Sequence, residues 1–265
     1  MADDIVSMKL DVVFKKMFVD NRDMLQAFVA SMLEIPVDSI SGLVVKNPEI
    51  PPDFAGGKFS RLDLNMTVGD VLVNVEIQVK RDRDFRDRAL YYWARLYTSE
   101  LKSGEVYGSL HRAISINIVD FNMFPGEGYC NEVLPRVTET GEIFSDKMTL
   151  YFFELKKLSK KLAAGNSREL WLQFINAESK EELDMISQAN DPIMQKAVRV
   201  VYDMSEDTRV REMVRMREKA LHDEASALKN ASDEAYGRGI SDMVSSMRAN
   251  GVSEEQIQKI VNSIP

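Results

Sequence analysis

The stretch from Arg61 to Lys80, RLDLNMTVGDVLVNVEIQVK, constrains the fold more than any other part of the chain. Two runs of alternating apolar and polar residues flank Gly69-Asp70, and a glycine-first dipeptide in that setting predicts a two-residue hairpin turn of type II′. That turn sets the register. With Val68 opposite Val71, Leu64 falls opposite Val75, Asp63 opposite Glu76, Leu62 opposite Ile77 and Arg61 opposite Gln78. Side chains alternate with period two, so Leu62, Leu64, Met66, Val68, Val71, Val73, Val75, Ile77 and Val79 are expected on one buried face. The other face is expected to hold Asp63, Asn65, Asn74, Glu76, Gln78 and Lys80.

Directly opposed residues have Cβ atoms roughly 4.5–5.5 Å apart, and like charges at that separation are destabilising. Three compensations are open: one carboxylate is protonated, Lys80 and Arg61 neutralise the pair, or a divalent cation sits between Asp63 and Glu76. Mg²⁺ is commonly held by one or two carboxylates together with waters and phosphate oxygens, a set this face could supply. The competing interpretation is an exposed hairpin whose polar face simply meets water.

Composition narrows the kind of site. The chain has one cysteine, Cys130, so neither an intramolecular disulfide framework nor a cysteine-rich zinc site is available, and Cys130 is expected to be a small buried apolar residue. His111 and His222 are far apart in sequence, which leaves oxygen ligands for any metal. A net charge of −8 argues against coating nucleic acid through bulk electrostatics. The charge is uneven, however: residues 58–112 carry ten Lys/Arg against eight Asp/Glu, a local +2 that leaves −10 elsewhere.

At 265 residues, with 45% hydrophobic and 29% charged residues, the chain is long enough for one large or two smaller domains of ordinary globular composition. No apolar run approaches the roughly 20 residues needed to span a bilayer. The start, MADDIVSMKLD, is acidic, unlike a signal peptide, so the expected address is the cytoplasm.

Along the chain, SMKLDVVFKKMFVD has helical apolar spacing behind a possible Ser7 cap, and Asn21 can cap RDMLQAFVASML. SGLVVK suggests a short strand, followed by the loop NPEIPPDFAGG and the hairpin. DRDFRDRALYYWARLYTSELKSG reads as one long helix stopped at Gly104. RAISINIVDF is a central strand by its unbroken apolar character, KMTLYFFEL is a further strand, and EVLPRVTET is a weaker candidate between them. From about Lys156 the pattern is almost wholly helical. Pro192 stands at a first-turn position, and Ser253 with Gln256 forms a capping box. Gly237 and Gly239 in YGRGI suggest a helix break. Residues 1–160 and 161–265 are therefore expected to form a core domain and an accessory or oligomerising helical region.

The order and wording of LDVVFKKMFVDNRDMLQAFVASML, SRLDLNMTVGDVLVNVEIQVK, RDRALYYWARLYTSELKSGEVYGSL, ISINIVDFNMF, MTLYFFELKKL and WLQFI resemble the PD-(D/E)XK nuclease family transposases, also called recombination-promoting nucleases. The resemblance covers most of residues 7–175. It implies an α/β fold with a restriction-endonuclease-like mixed sheet flanked by helices, and a divalent metal, Mg²⁺ or Mn²⁺, at the hairpin. Asp63 matches the motif aspartate, Glu76 the acid of the E-x-K element, and Gln78 the position of its lysine, which is absent here. Lys80 lies one step further along the same face, about 6.6 Å by strand rise, and is a poor geometric substitute. Asp11 matches an acid of the first helix, where a further metal-site member and a solvent-exposed helix acid are equally open.

The resemblance further implies a DNA endonuclease in which Asp63 and Glu76 hold the ion and Gln78 orients water. Arg61, on the hairpin, and Arg81, Arg88, Tyr92 and Arg95, near one face of the following helix, are candidate DNA contacts, with Arg83 and Arg86 elsewhere. Tyr91, Trp93 and Leu96 are expected to pack rather than stack on bases. No major-groove reading element is evident, so low sequence specificity is expected. The alternatives are a binding protein of the same fold that cleaves slowly or not at all, and an RNA nuclease. Double-stranded DNA and a second copy of the chain, docked through the C-terminal helices, are the expected partners.

Overall fold

The structure is a computed structural model describing residues 5–40, 42–45, 64–99, 101 and 104–263. Its strands are β1 (Val44–Val45), β2 (Leu64–Val68), β3 (Val71–Gln78), β4 (Arg112–Val119), β5 (Cys130–Val133) and β6 (Met148–Glu154). They form one mixed sheet in the order β1-β2-β3-β4-β6-β5. The helices are α1 (Asp11–Asp20), α2 (Arg22–Leu33), α3 (Phe85–Thr98), α4 (Ser167–Asn176), α5 (Lys180–Ser187), α6 (Pro192–Glu206), α7 (Thr208–Ala249) and α8 (Glu254–Asn262).

The hairpin forms in the register its turn dictates. Val68 pairs with Val71 and Leu64 with Val75. Gly69 has φ of 56° while Asp70 stays out of the left-handed region, the combination a type II′ turn requires. The expected pairs Asp63–Glu76, Leu62–Ile77 and Arg61–Gln78 involve residues outside the described ones. β3, β4 and β6 then run parallel, with Glu76 beside Asn117 and Asn117 beside Phe152.

Helices cover both faces of this sheet, which is why β4 reads as an almost continuous apolar run. On one face Phe14, Phe18, Phe28 and Trp171 pack edge-on and tilted against one another. They share a core with Val73, Val75, Ile114, Ile116, Ile118 and Phe153. On the other face α3 lays Phe85 and Ala89 against Val119, Leu150 and Phe152, and Trp93 Nε1 donates to the Ala113 carbonyl at 2.8 Å.

This second layer changes the environment of the hairpin's polar side. Asn74, Glu76 and Gln78 are buried rather than wet. Val79, expected in the core, is 42% exposed because β3 ends at Gln78 and the chain leaves the sheet there.

Several local expectations are corrected. α1 starts at Asp11 behind Leu10, and the Ser7 hydroxyl instead accepts from the Lys9 amide. Asn21 occupies the N-cap of α2, but its side chain donates to the Met17 carbonyl. α3 stops at Thr98, well before Gly104. Gly237 and Gly239 lie inside α7 without interrupting it. Each glycine costs about 1 kcal/mol there relative to alanine, and the helix runs through both. Pro192 and Ser253 do begin helices, Ser253 accepting from the Gln256 amide at 3.4 Å.

The chain divides into two compact units, Met1–Val214 and Arg215–Pro265. The first contains the sheet and α1 to α6, with Trp171, Phe174, Met194 and Val201 in the same core as α1 and α2. The division expected at residue 160 follows composition, whereas this one follows contacts in space. In the second unit, α7 ends in a Schellman motif: Gly251 has φ of 78°, its amide donates to the Arg248 carbonyl, and the Val252 amide reaches back to Met247.

Candidate active site

β3 positions Glu76 and Gln78 two residues apart, so both point toward α3. α3 answers with Arg88, one turn into the helix. Arg88 Nη2 lies 3.4 Å from Glu76 Oε1 and donates to Gln78 Oε1 at 3.2 Å, while Nη1 donates to Asp82 Oδ2 at 2.6 Å. The Glu76 side chain is only 1% exposed. Gln78 is oriented from its other end as well, Nε2 donating to the Lys80 carbonyl at 2.5 Å. A buried carboxylate oxygen and an amide oxygen thus converge on one positive group.

The expected site residues are distributed unevenly around this centre. Glu76 and Gln78 are brought together, and Arg88 joins them instead of facing outward. Asp63 and Arg61 lie outside the described residues. Lys80 contributes its backbone carbonyl, while its side chain is exposed. Asp11 opens α1 half-buried, its Oδ1 accepting from the Val12 amide at 2.9 Å. Arg81 is exposed before α3 and Tyr92 is half-buried. Arg95 sits 5.9 Å from the ring centroid of Tyr91, which is 58% exposed rather than packed.

Two features escape a motif-based search. Asp82 clamps Arg88. Ser115 and Asn117, fully buried on β4, continue the polar row of β3 across the sheet. The signal for that row is present in RAISINIV, where two polar residues recur with period two inside an apolar strand.

A second charged group lies at the strand ends. Asp120, whose amide donates to the Gln78 carbonyl at 3.0 Å, meets Lys9 Nζ at 3.2 Å and Lys156 Nζ at 3.0 Å. Lys9 also reaches Glu178 at 2.6 Å. Burial works against the charge on Lys9, but the hydrogen bond to Glu178 and the field of Asp120 outweigh it and hold its pKa above the usual lysine value. Cys130 is half-buried beside Arg168, and desolvation raises its thiol pKa, opposed by the Arg168 charge.

Among the described residues no three His, Cys, Asp or Glu side chains gather as a metal cluster. The donor chemistry nonetheless suits a hard divalent ion: Glu76 and Gln78 offer oxygens, and the guanidinium of Arg88 already stands where positive charge is favoured.

A mixed sheet of six strands between helices, with an E-x-Q pair on the second strand of a hairpin, is consistent with the PD-(D/E)XK nuclease fold. The family model described as PD-(D/E)XK nuclease family transposase matches residues 8–231, and the chain belongs to that family. Comparison with curated proteins and with solved structures gives no match. Membership supports a nuclease- or transposase-related function on nucleic acid, and nucleases of this kind generally use divalent metals. Among the described residues no helix is long and apolar enough to cross a membrane.

Proposed function

We propose that the chain is a Mg²⁺-dependent DNA endonuclease of low sequence specificity, acting in the cytoplasm in recombination, mobile-element movement or phage defence. The observation that carries this is the convergence of Glu76 Oε1 and Gln78 Oε1 on a single cationic position. Glu76, with Asp63 as its partner acid in the sequence, would hold the ion. Held there, a divalent ion would supply an acidified water and a charge to offset that gathering on the phosphate. Gln78, fixed at both ends, presents a rigid amide that orients the water. Arg88, which donates to Gln78 at 3.2 Å, takes over the electrostatic role of the absent lysine. Asp82 keeps that guanidinium in place. The second compact unit, Arg215–Pro265, serves as an accessory region that joins two copies.

One observation favours a second interpretation, a protein of nuclease fold that binds but cuts slowly. The guanidinium that stands in for the lysine also competes with the metal for Glu76 and Gln78. Incubating supercoiled plasmid with the protein and Mg²⁺ or EDTA separates the two. Metal-dependent nicking that Glu76→Ala abolishes supports the enzyme. Intact plasmid with retained affinity supports the binder. Parallel reactions on RNA of the same sequence decide between the two nucleic acids.

A further inference from the structure

Beyond Glu76 and Gln78, the loops leaving the carboxyl ends of β3 and β4 enclose a cleft of about 660 Å³ lined by Arg81, Asp82, Arg83, Phe85, Arg86, Phe121 and Met123. Its charge is one-sided. Asp82 is engaged by Arg88, whereas Arg81 and Arg83 are exposed and make no hydrogen bond or ion pair among the described residues. Arg86 spends one nitrogen on the Met123 carbonyl, at 3.1 Å. The floor is apolar: Phe121 meets Phe85 edge-on with centroids 6.0 Å apart, and Met123 lies beside it.

The wall is also built to hold its shape. Glu154, at the end of β6 and wholly buried, accepts from the Met123 amide at 2.5 Å and the Phe124 amide at 3.1 Å. Asn131 and Lys157 hold the same carboxylate at 2.8 and 2.7 Å. A buried glutamate used to fix a surface loop pre-organises whatever that loop contacts.

We propose that this cleft takes an unpaired nucleotide of a single DNA strand next to the scissile phosphate, its phosphate held by Arg81 and Arg83 and its base laid on Phe121 and Met123. An aromatic floor between guanidinium groups suits a base with its phosphate, and a base within a duplex offers no free face to such a floor. The choice of substrate therefore favours single-stranded, frayed or branched DNA over intact duplex. This rests on the nuclease assignment for its purpose, but not for its test.

The test is binding of the full chain, in EDTA so that nothing is cut, to a labelled 12-nucleotide single strand, to the same sequence as duplex, and to thymidine monophosphate. Fluorescence anisotropy is followed over a range of salt. The single strand is expected to bind at least tenfold more tightly than the duplex. R81Q/R83Q, which disturbs no internal contact, is expected to weaken single-strand binding about tenfold and to reduce the slope of log K against log salt by about 0.7, the share of one phosphate. Phe121→Leu is expected to cost five- to tenfold on the single strand and nothing on the duplex, with Phe121→Tyr restoring it.

Equal loss on both DNA forms, no loss in R81Q/R83Q, or competition by the mononucleotide as strong as by the oligonucleotide would overturn the proposal. Plasmid nicking is scored separately. A chain that binds through the cleft without nicking leaves the cleft standing, and one that nicks without it removes the cleft alone.

Discussion

Arg88 reaches Glu76, Gln78 and Asp82 at once, so its removal is the sharpest probe of the candidate site at the scale of a residue. Breaking a buried ion pair from one side costs about 3–5 kcal/mol, because the remaining charge keeps its desolvation penalty. Arg88 is partly open to solvent at 19%, which lowers the expectation for Arg88→Met to about 2–3 kcal/mol in urea unfolding. If a divalent ion and the guanidinium share the same oxygens, Mn²⁺ should raise the melting temperature of Arg88→Met more than that of the parent. An identical shift in both would separate the ion from this site. Lys9 gives a second probe with a defined pH signature. Its folded pKa is raised, so its contribution is fully present below the unfolded value and is lost as pH rises through the folded one. Lys9→Met should therefore be destabilising at pH 7, and the difference from the parent should narrow above about pH 10.5. The Glu76 and Gln78 pair was legible in sequence because E-x-Q alternation follows from strand geometry alone. Arg88 facing inward was not, since a periodic helix does not reveal which of its faces meets the sheet.

Among the elements, the hairpin was readable because a two-residue turn leaves one register, and the pairing of Leu64 with Val75 follows from Gly69-Asp70 without reference to the rest of the chain. Gly69 at φ of 56° carries that turn, and Gly69→Ala should cost about 1–2 kcal/mol with the fold retained, measured by denaturant midpoint at unchanged m-value. The burial of the polar face was not readable. It depends on α3 crossing back over β3 and β4, a contact between segments that local pattern does not encode. The end of α2 shows the converse, a strained residue where sequence would place glycine. Glu34 adopts φ of 52°, and the Glu34 and Ile35 amides close a Schellman motif onto Ser31 and Ala30. Glu34→Gly removes the Cβ penalty and loses an ion pair to Arg168 from a carboxylate that is 69% exposed. A net gain of about 0.5–1 kcal/mol is expected, read as a rise in the thermal midpoint.

For the molecule as a whole, each chain offers one E-x-Q site, and cutting both strands of a duplex requires either two copies held together or two independent encounters. The second compact unit is where a second copy would be met. Beyond Val214, α7 continues to Ala249 with Met216, Leu228 and Tyr236 more than half exposed. If these helices join two copies, the full chain sediments as a dimer, and a chain ending after Val214 sediments as a monomer with an intact circular dichroism spectrum. The two outcomes also differ in kinetics. A dimer converts supercoiled plasmid to linear product without a lasting nicked form, whereas the shortened chain accumulates nicked circles first and makes linear DNA late. A full chain that is monomeric at micromolar concentration, or a shortened chain that still dimerises, removes the second unit from assembly and leaves double-strand breaks to arise from two unrelated nicks.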